Sequence, residues 1–161
     1  MGWTMTMRLD ADSLRTLKIP LILLNMIEED QRLRAHKHNL DIIISELLSN
    51  ALEWGVLKLD SRIKRDAETF ERYFALRQKG LNSLTEGWIE IDLEHVSLDH
   101  GGKFVVRVED SGPGFDYQNL GAFYDNAVYG GRGIYSVRTL CEEFAYCGNG
   151  NRVKAVYGWG D

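Results

Sequence analysis

The apolar positions between residues 33 and 54 recur every three or four residues: Leu40, Ile43, Ile44, Leu47, Leu48 and Ala51. That spacing puts them on one face of an α-helix with a core to cover, and Gly55 is a fair stop for it. Upstream, residues 19–29 read as a short helix with Pro20 in its first turn, where a missing N–H has no partner to lose. Residues 3–9 alternate in character and suit an edge strand. A further helix is expected over residues 66–80, with Asp66 as N-cap, Phe70, Tyr73 and Phe74 on one face, and Gly80 at its end. The period then changes to two. Ile89, Ile91 and Leu93 face one way and Glu90, Asp92 and Glu94 the other, which makes a strand with one wet face. A turn at 99–102 returns the chain through a second strand at 103–109. A loop to about residue 130, a helix over 131–143 and a hairpin turning at Gly148, Asn149 and Gly150 complete the order. Helices, hairpin, helix, hairpin predict an α+β fold, with helices on one face of a mixed, mostly antiparallel sheet.

Composition narrows the function classes. The chain has 161 residues, enough for one domain with a real core, and the whole of 1–161 reads as that domain. Its net charge of −5 argues against the phosphate backbone of a nucleic acid as partner. Cys141 and Cys147 fit neither a disulfide framework nor a zinc spacing, so they read as free thiols in a reducing cytoplasm. The apolar run at 19–27 is broken by Pro20 and Asn25, is too short to span a bilayer and lacks a signal-peptide layout, so no membrane is expected.

Three clusters carry candidate chemistry. In "ELLSNA", Glu46 and Asn50 are four apart on the predicted helix, so they project from one side, away from Ile43 and Leu47, and Glu53 extends that polar stripe. A solvated helix face would look the same. In "VEDSGPGFD", Asp110 leaves a strand just before Gly112 and Gly114. Bare glycines let a ligand approach the backbone, and Asp110 is an acceptor for an amino group; an ordinary strand-to-loop turn is the alternative. The spacing of acids does not fit a calcium loop. In "GGRGIYSVRTL", glycines open a helix whose free N–H groups form an anion site, with the Arg132 charge beside them. A plain helix start reads equally well, and neither a P-loop nor a complete dinucleotide fingerprint is present.

The order of the three is more telling than any one of them. A helical E-x-x-x-N-A, then D-x-G-x-G after a strand, then G-x-G opening a helix resembles the N box and the two glycine boxes of the GHKL ATPase superfamily, from about residue 39 to 157. The resemblance implies the Bergerat, or histidine-kinase-like, two-layer α/β sandwich, with ATP and Mg²⁺ as cofactors. By that likeness Asp110 accepts the amino group of adenine, while Gly112 and Gly114 make room for the ring. Asn50 coordinates Mg²⁺, whose other ligands are phosphate oxygens and water. Glu46 is the general base or orients the attacking hydroxyl, and the Gly131 and Gly133 amides, with Arg132, meet the phosphates.

Within the superfamily, the segment from Gly130 to the C-terminal hairpin is similar to the anti-sigma-factor serine kinases. It is more similar still to the kinase-like domain at the C-terminus of bacterial response regulators that carry a PPM-type phosphatase domain. That implies one domain of a larger regulator, phosphorylating a serine or threonine of a small STAS-type anti-sigma-factor antagonist. A sigma factor is a further partner, and a homodimer is a further expectation. Two features depart from the pattern. Trp54 stands where many members have histidine, and residues 115–130 contain two aspartates but no lysine or arginine. They keep a rival open: a degenerate, nucleotide-sensing module that sequesters a sigma factor or antagonist without efficient transfer. A histidine-kinase catalytic domain is disfavoured by the short segment between the glycine boxes and the lack of an acceptor helix pair. Tyr117, Phe123, Tyr124 and Tyr129 read either as a lid or as a partner surface.

Overall fold

Period-two alternation builds a five-stranded sheet: β1 (Trp3–Asp10), β2 (Trp88–Ser97), β3 (Gly102–Asp110), β4 (Glu143–Cys147) and β5 (Arg152–Trp159), in the order β1-β2-β3-β5-β4. The computed structural model describes residues 1–59, 67–119 and 131–160, with backbone alone at 67, 68, 119, 131 and 132. All four pairings are antiparallel, so among the described residues the expected mixed sheet is wholly antiparallel. Register is fixed by the buried face. Ile91 sits opposite Val108 and Leu93 opposite Val106, while Val106 and Val108 sit opposite Ala155 and Val153. A slip of one residue would turn that whole set to water. On the other face Arg107 binds Asp92 at 2.7 Å and Glu94 at 3.0 Å.

The helices cover the first face. α1 (Ala11–Thr16), which the sequence pattern does not show, is capped by Asp10, whose carboxylate accepts the Ser13 N–H at 2.8 Å. α2 (Ile19–Glu29) has its proline in the first turn, as expected, and buries Ile19, Leu23 and Ile27. α3 (Lys37–Asn50) buries Leu40, Ile43, Ile44, Leu47 and Leu48. Each such side chain contributes about 1.5–3 kcal/mol relative to exposure, so α3 is firmly held and its polar residues ride on a fixed base.

Several boundaries differ from expectation. The helix expected to stop at Gly55 instead widens after Asn50 into one π turn, Ala51–Val56. α4 (Ala67–Asn82) runs past Gly80, whose bare side faces Leu57. Its expected cap, Asp66, lies outside the described residues. Tyr73 is buried, but Phe70 and Phe74 are exposed and stack on each other at 5.4 Å. α5 (Gly131–Leu140) ends three residues early, because Glu143 already begins β4.

The far end of the sheet is closed by an aromatic and ionic cluster. Trp159 stacks between His36 and His95, and the Trp3 indole N–H donates to Asp30 at 3.0 Å. Hydrogen bonds from Arg32 hold the Asp30 carboxyl well below the usual range. No helix among the described residues is long and apolar enough to cross a membrane.

Candidate functional site

The site is built on one helix. Glu46 and Asn50 both lie on α3, half-buried, one turn apart. Glu46 reaches the first turn of α5: a Cβ built at Gly133 would overlap its carboxylate. The first and last of the three sequence clusters therefore meet, and only a glycine lets them. The Nδ2 end of the Asn50 amide is buried without a hydrogen-bond partner. Such an atom is costly to leave unpaired in a finished interior, and the oxygen and nitrogen of an amide exchange by a flip. It is what a side chain awaiting a ligand looks like.

The second cluster meets the same helix at its π turn. A Cβ at Gly55 would overlap the Asp110 carboxylate, and a Cβ at Gly112 would overlap both that carboxylate and the Gly55 carbonyl. Asp110 is 8% exposed. Burial pushes its carboxyl up to about 6, against the opposing hydrogen bond from the Gly112 N–H at 2.8 Å. Among the described residues that N–H is the one donor to the carboxylate, so acceptor capacity is left over. The Asp110 backbone is clamped on both sides: its N–H donates to Asn151 O at 3.0 Å, and its own carbonyl accepts from Asn151 Nδ2 at 3.0 Å. Ser111 is tied to Trp88 in the same reciprocal way.

The glycines of this loop have a nearer reason than a ligand. Gly114 has φ +76 and its bare side abuts the Asn149 carbonyl, which accepts the Phe115 N–H at 2.8 Å. The space freed by Gly112 and Gly114 is thus taken up by the chain's own groups at Gly55, Asp110 and Asn149, and the loop is held in shape by that packing. Gly55 and Gly112 also line a cleft of about 500 Å³, together with Leu57, Ser83, Trp88 and Ser111.

Gly131 opens α5 and Gly133 sits in its first turn; the Arg132 side chain lies outside the described residues, as do Phe123, Tyr124 and Tyr129. Tyr117 packs on the C-terminal hairpin: its ring meets Tyr146 at 5.9 Å and Phe115 at 6.3 Å, and Phe115 meets Tyr146 at 4.8 Å. It anchors the chain as it leaves the Asp110 loop.

With three clusters converging on α3, comparison with known proteins becomes informative. The family model of the histidine kinase-like ATPase domain matches residues 22–157, most of the chain. The chain belongs to the histidine kinase-like ATPase family. A search of curated proteins found no match.

Members of this ATPase family bind ATP, usually with Mg²⁺, and the residues present fit both. From Glu46 to Gly55 the helix rises about 13 Å, commensurate with a nucleoside triphosphate from its base to its last phosphate. Asp110 stands at one end of that span and the α5 N-terminus at the other. Among the described residues no group of three His, Cys, Asp or Glu could hold a metal ion. A single amide fits a magnesium ion that takes most of its ligands from phosphate and water.

Sequence reasoning misses three residues of the ATPase site. Asn151 and Asn149 hold the Asp110 loop from the C-terminal hairpin, and nothing in their turn composition distinguishes them. Glu53 is expected on the solvated stripe with Glu46 and Asn50, but it is 6% exposed. The π turn is the cause: it adds a residue to the helical turn and rotates the positions beyond it.

Proposed function

We propose that this domain is an ATP-dependent protein serine/threonine kinase of the anti-sigma-factor type, acting on a small STAS-type antagonist. The observation that supports it most is the contact of the Glu46 carboxylate with Gly133 at the start of α5, on the helix that also carries Asn50. A base stands where a terminal phosphate would meet the helix N–H groups. Asp110 would accept the adenine amino group through the oxygen that Gly112 leaves free. Asn50 would hold Mg²⁺, which neutralises charge on the phosphates.

In the reaction the acceptor hydroxyl lies beside Glu46. Its proton passes to the carboxylate, its oxygen bonds the γ-phosphorus, and the bond from that phosphorus to the bridging oxygen breaks to release ADP. The chemistry is mostly positioning and charge neutralisation, so docking of the antagonist governs the rate and hydrolysis without it is slow. The test is incubation with γ-labelled ATP and a STAS-type antagonist. Label on the antagonist's serine or threonine supports the reading. Binding of both ligands with no transfer favours the degenerate sequestering module, which the lack of basic residues in 115–130 also favours.

A further inference from the structure

Glu53 is a buried carboxylate that the proposed chemistry does not use. Its side chain is 8% exposed and faces α4, where the Arg77 guanidinium approaches it at 3.6 Å. The Tyr73 ring is fully buried beside it, and the hydroxyl sits among Glu53, Trp54 and Arg77. Burial and the Glu53 charge push that phenol well above its ordinary value. An ionised group in such a place is expensive unless paired, and apolar residues of the same size would pack as well or better. Its use lies in what it fixes.

What it fixes is the π turn. The two neighbouring residues Glu53 and Trp54 both reach Tyr73, and the next residue, Gly55, lies bare against the Asp110 carboxylate and the Gly112 backbone. Within the turn, Leu57 N–H donates to Leu52 O and Leu59 N–H to Glu53 O, both at 2.8 Å. Backbone bonds of this wide spacing are uncommon and hold a helix loosely. The side-chain tie to α4 sets the rotation of the turn about the helix axis. The geometry points to Glu53, with Tyr73 and Arg77, as a positioning set that holds Gly55 over Asp110 and so shapes the acceptor that reads the adenine. This rests on the ATP reading for its function, but not for its structural content.

The experiment separates the two. The Asp110 carboxyl is followed by NMR titration in the free protein, for wild type, Glu53→Ala, Glu53→Gln and Arg77→Met. ATP affinity and the ratio of ATP to GTP affinity are measured with Mg²⁺ on the same samples, well below each melting temperature. Glu53→Ala is expected to bring the Asp110 titration down toward the ordinary carboxylate range, to weaken ATP about tenfold and to erode the preference over GTP. Glu53→Gln, which keeps the shape and the Tyr73 contact, should recover much of all three. If Glu53→Ala does not fold, Arg77→Met carries the test, since Arg77 is the more exposed partner and its loss leaves the carboxylate in place. A purely structural role predicts a lower melting temperature with the titration and the affinity ratio unchanged, and that result overturns the inference. A wild-type protein that binds no ATP, while the Asp110 titration still depends on Glu53, sinks the nucleotide reading and upholds the positioning.

Discussion

Replacing Asp110 by asparagine should strengthen the free protein while weakening its hold on ATP. The carboxyl is 8% exposed and its pKa is raised from 3.8 to about 6, chiefly by burial. A carboxylate raised in the folded state takes up its proton more readily there than in the unfolded chain. Stability therefore falls as pH rises between about 4 and 6, and the full penalty stands above that window. Two units correspond to about 3 kcal/mol at 1.36 kcal/mol each. Asparagine carries no charge, yet keeps an oxygen for the Gly112 N–H; it gives up the charge-assisted part of that bond, about 1 kcal/mol. The net expectation at pH 8 is a gain of about 1–2 kcal/mol, or about 2–8 °C in melting temperature for a chain of this size. Adenine recognition loses its charged acceptor, at about 1.5–3 kcal/mol, so ATP should bind roughly 10- to 100-fold more weakly. The assays are thermal melts of wild type and Asp110→Asn from pH 8 to pH 5, and calorimetry with ATP and Mg²⁺ at pH 8. A variant no more stable at pH 8, or a difference that fails to narrow toward pH 5, refutes the burial argument. Equal ATP affinity refutes the adenine assignment.

Glu46→Ala should keep nucleotide affinity and lower phosphoryl transfer by about 10²–10⁴-fold, the usual scale of a lost general base, whereas Asn50→Ala should lose the Mg²⁺-dependent part of binding; calorimetry with and without Mg²⁺, beside the transfer assay, reads both. Gly114→Ala combines a left-handed backbone with a clash on the Asn149 carbonyl and should destabilise by at least about 1–2 kcal/mol; a denaturant midpoint equal to wild type would mean the loop is not pinned there. A serine-to-aspartate mimic of the antagonist should be retained less in pull-downs than the unmodified form, because phosphate adds about −1.5 to −2 charges opposite a chain of net −5. Equal retention removes charge as the cause of release.

Much of the fold is legible in the sequence because two periods carry it. The alternation at Ile89, Ile91 and Leu93 and the three-four spacing from Leu40 to Leu48 are direct imprints of burial on one face, and both elements form where the pattern places them. Ends are less legible. Gly55 and Gly80 look like helix stops, yet each is bare because another group packs against it, the Asp110 carboxylate in one case and Leu57 in the other. A sequence shows that a side chain is missing and not what fills the space. No local pattern implies the meeting of Glu46 with Gly133, since it depends on where α5 docks on α3. A helical wheel misplaces Glu53 because it assumes one pitch throughout, and the pitch changes at Ala51.

That change of pitch has an evolutionary side. A π turn is an α-helix carrying one residue more than its regular winding needs. Deleting a single residue between Ala51 and Val56 would let the winding close regularly and turn everything after it by about 100°. The buried stripe from Leu40 to Leu48 lies before that point, and so do Glu46 and Asn50. Such a deletion would spare the core and the base while swinging Gly55 away from Asp110. One codon therefore separates a lineage that reads its nucleotide from one that keeps the scaffold and is free to be recruited for another purpose.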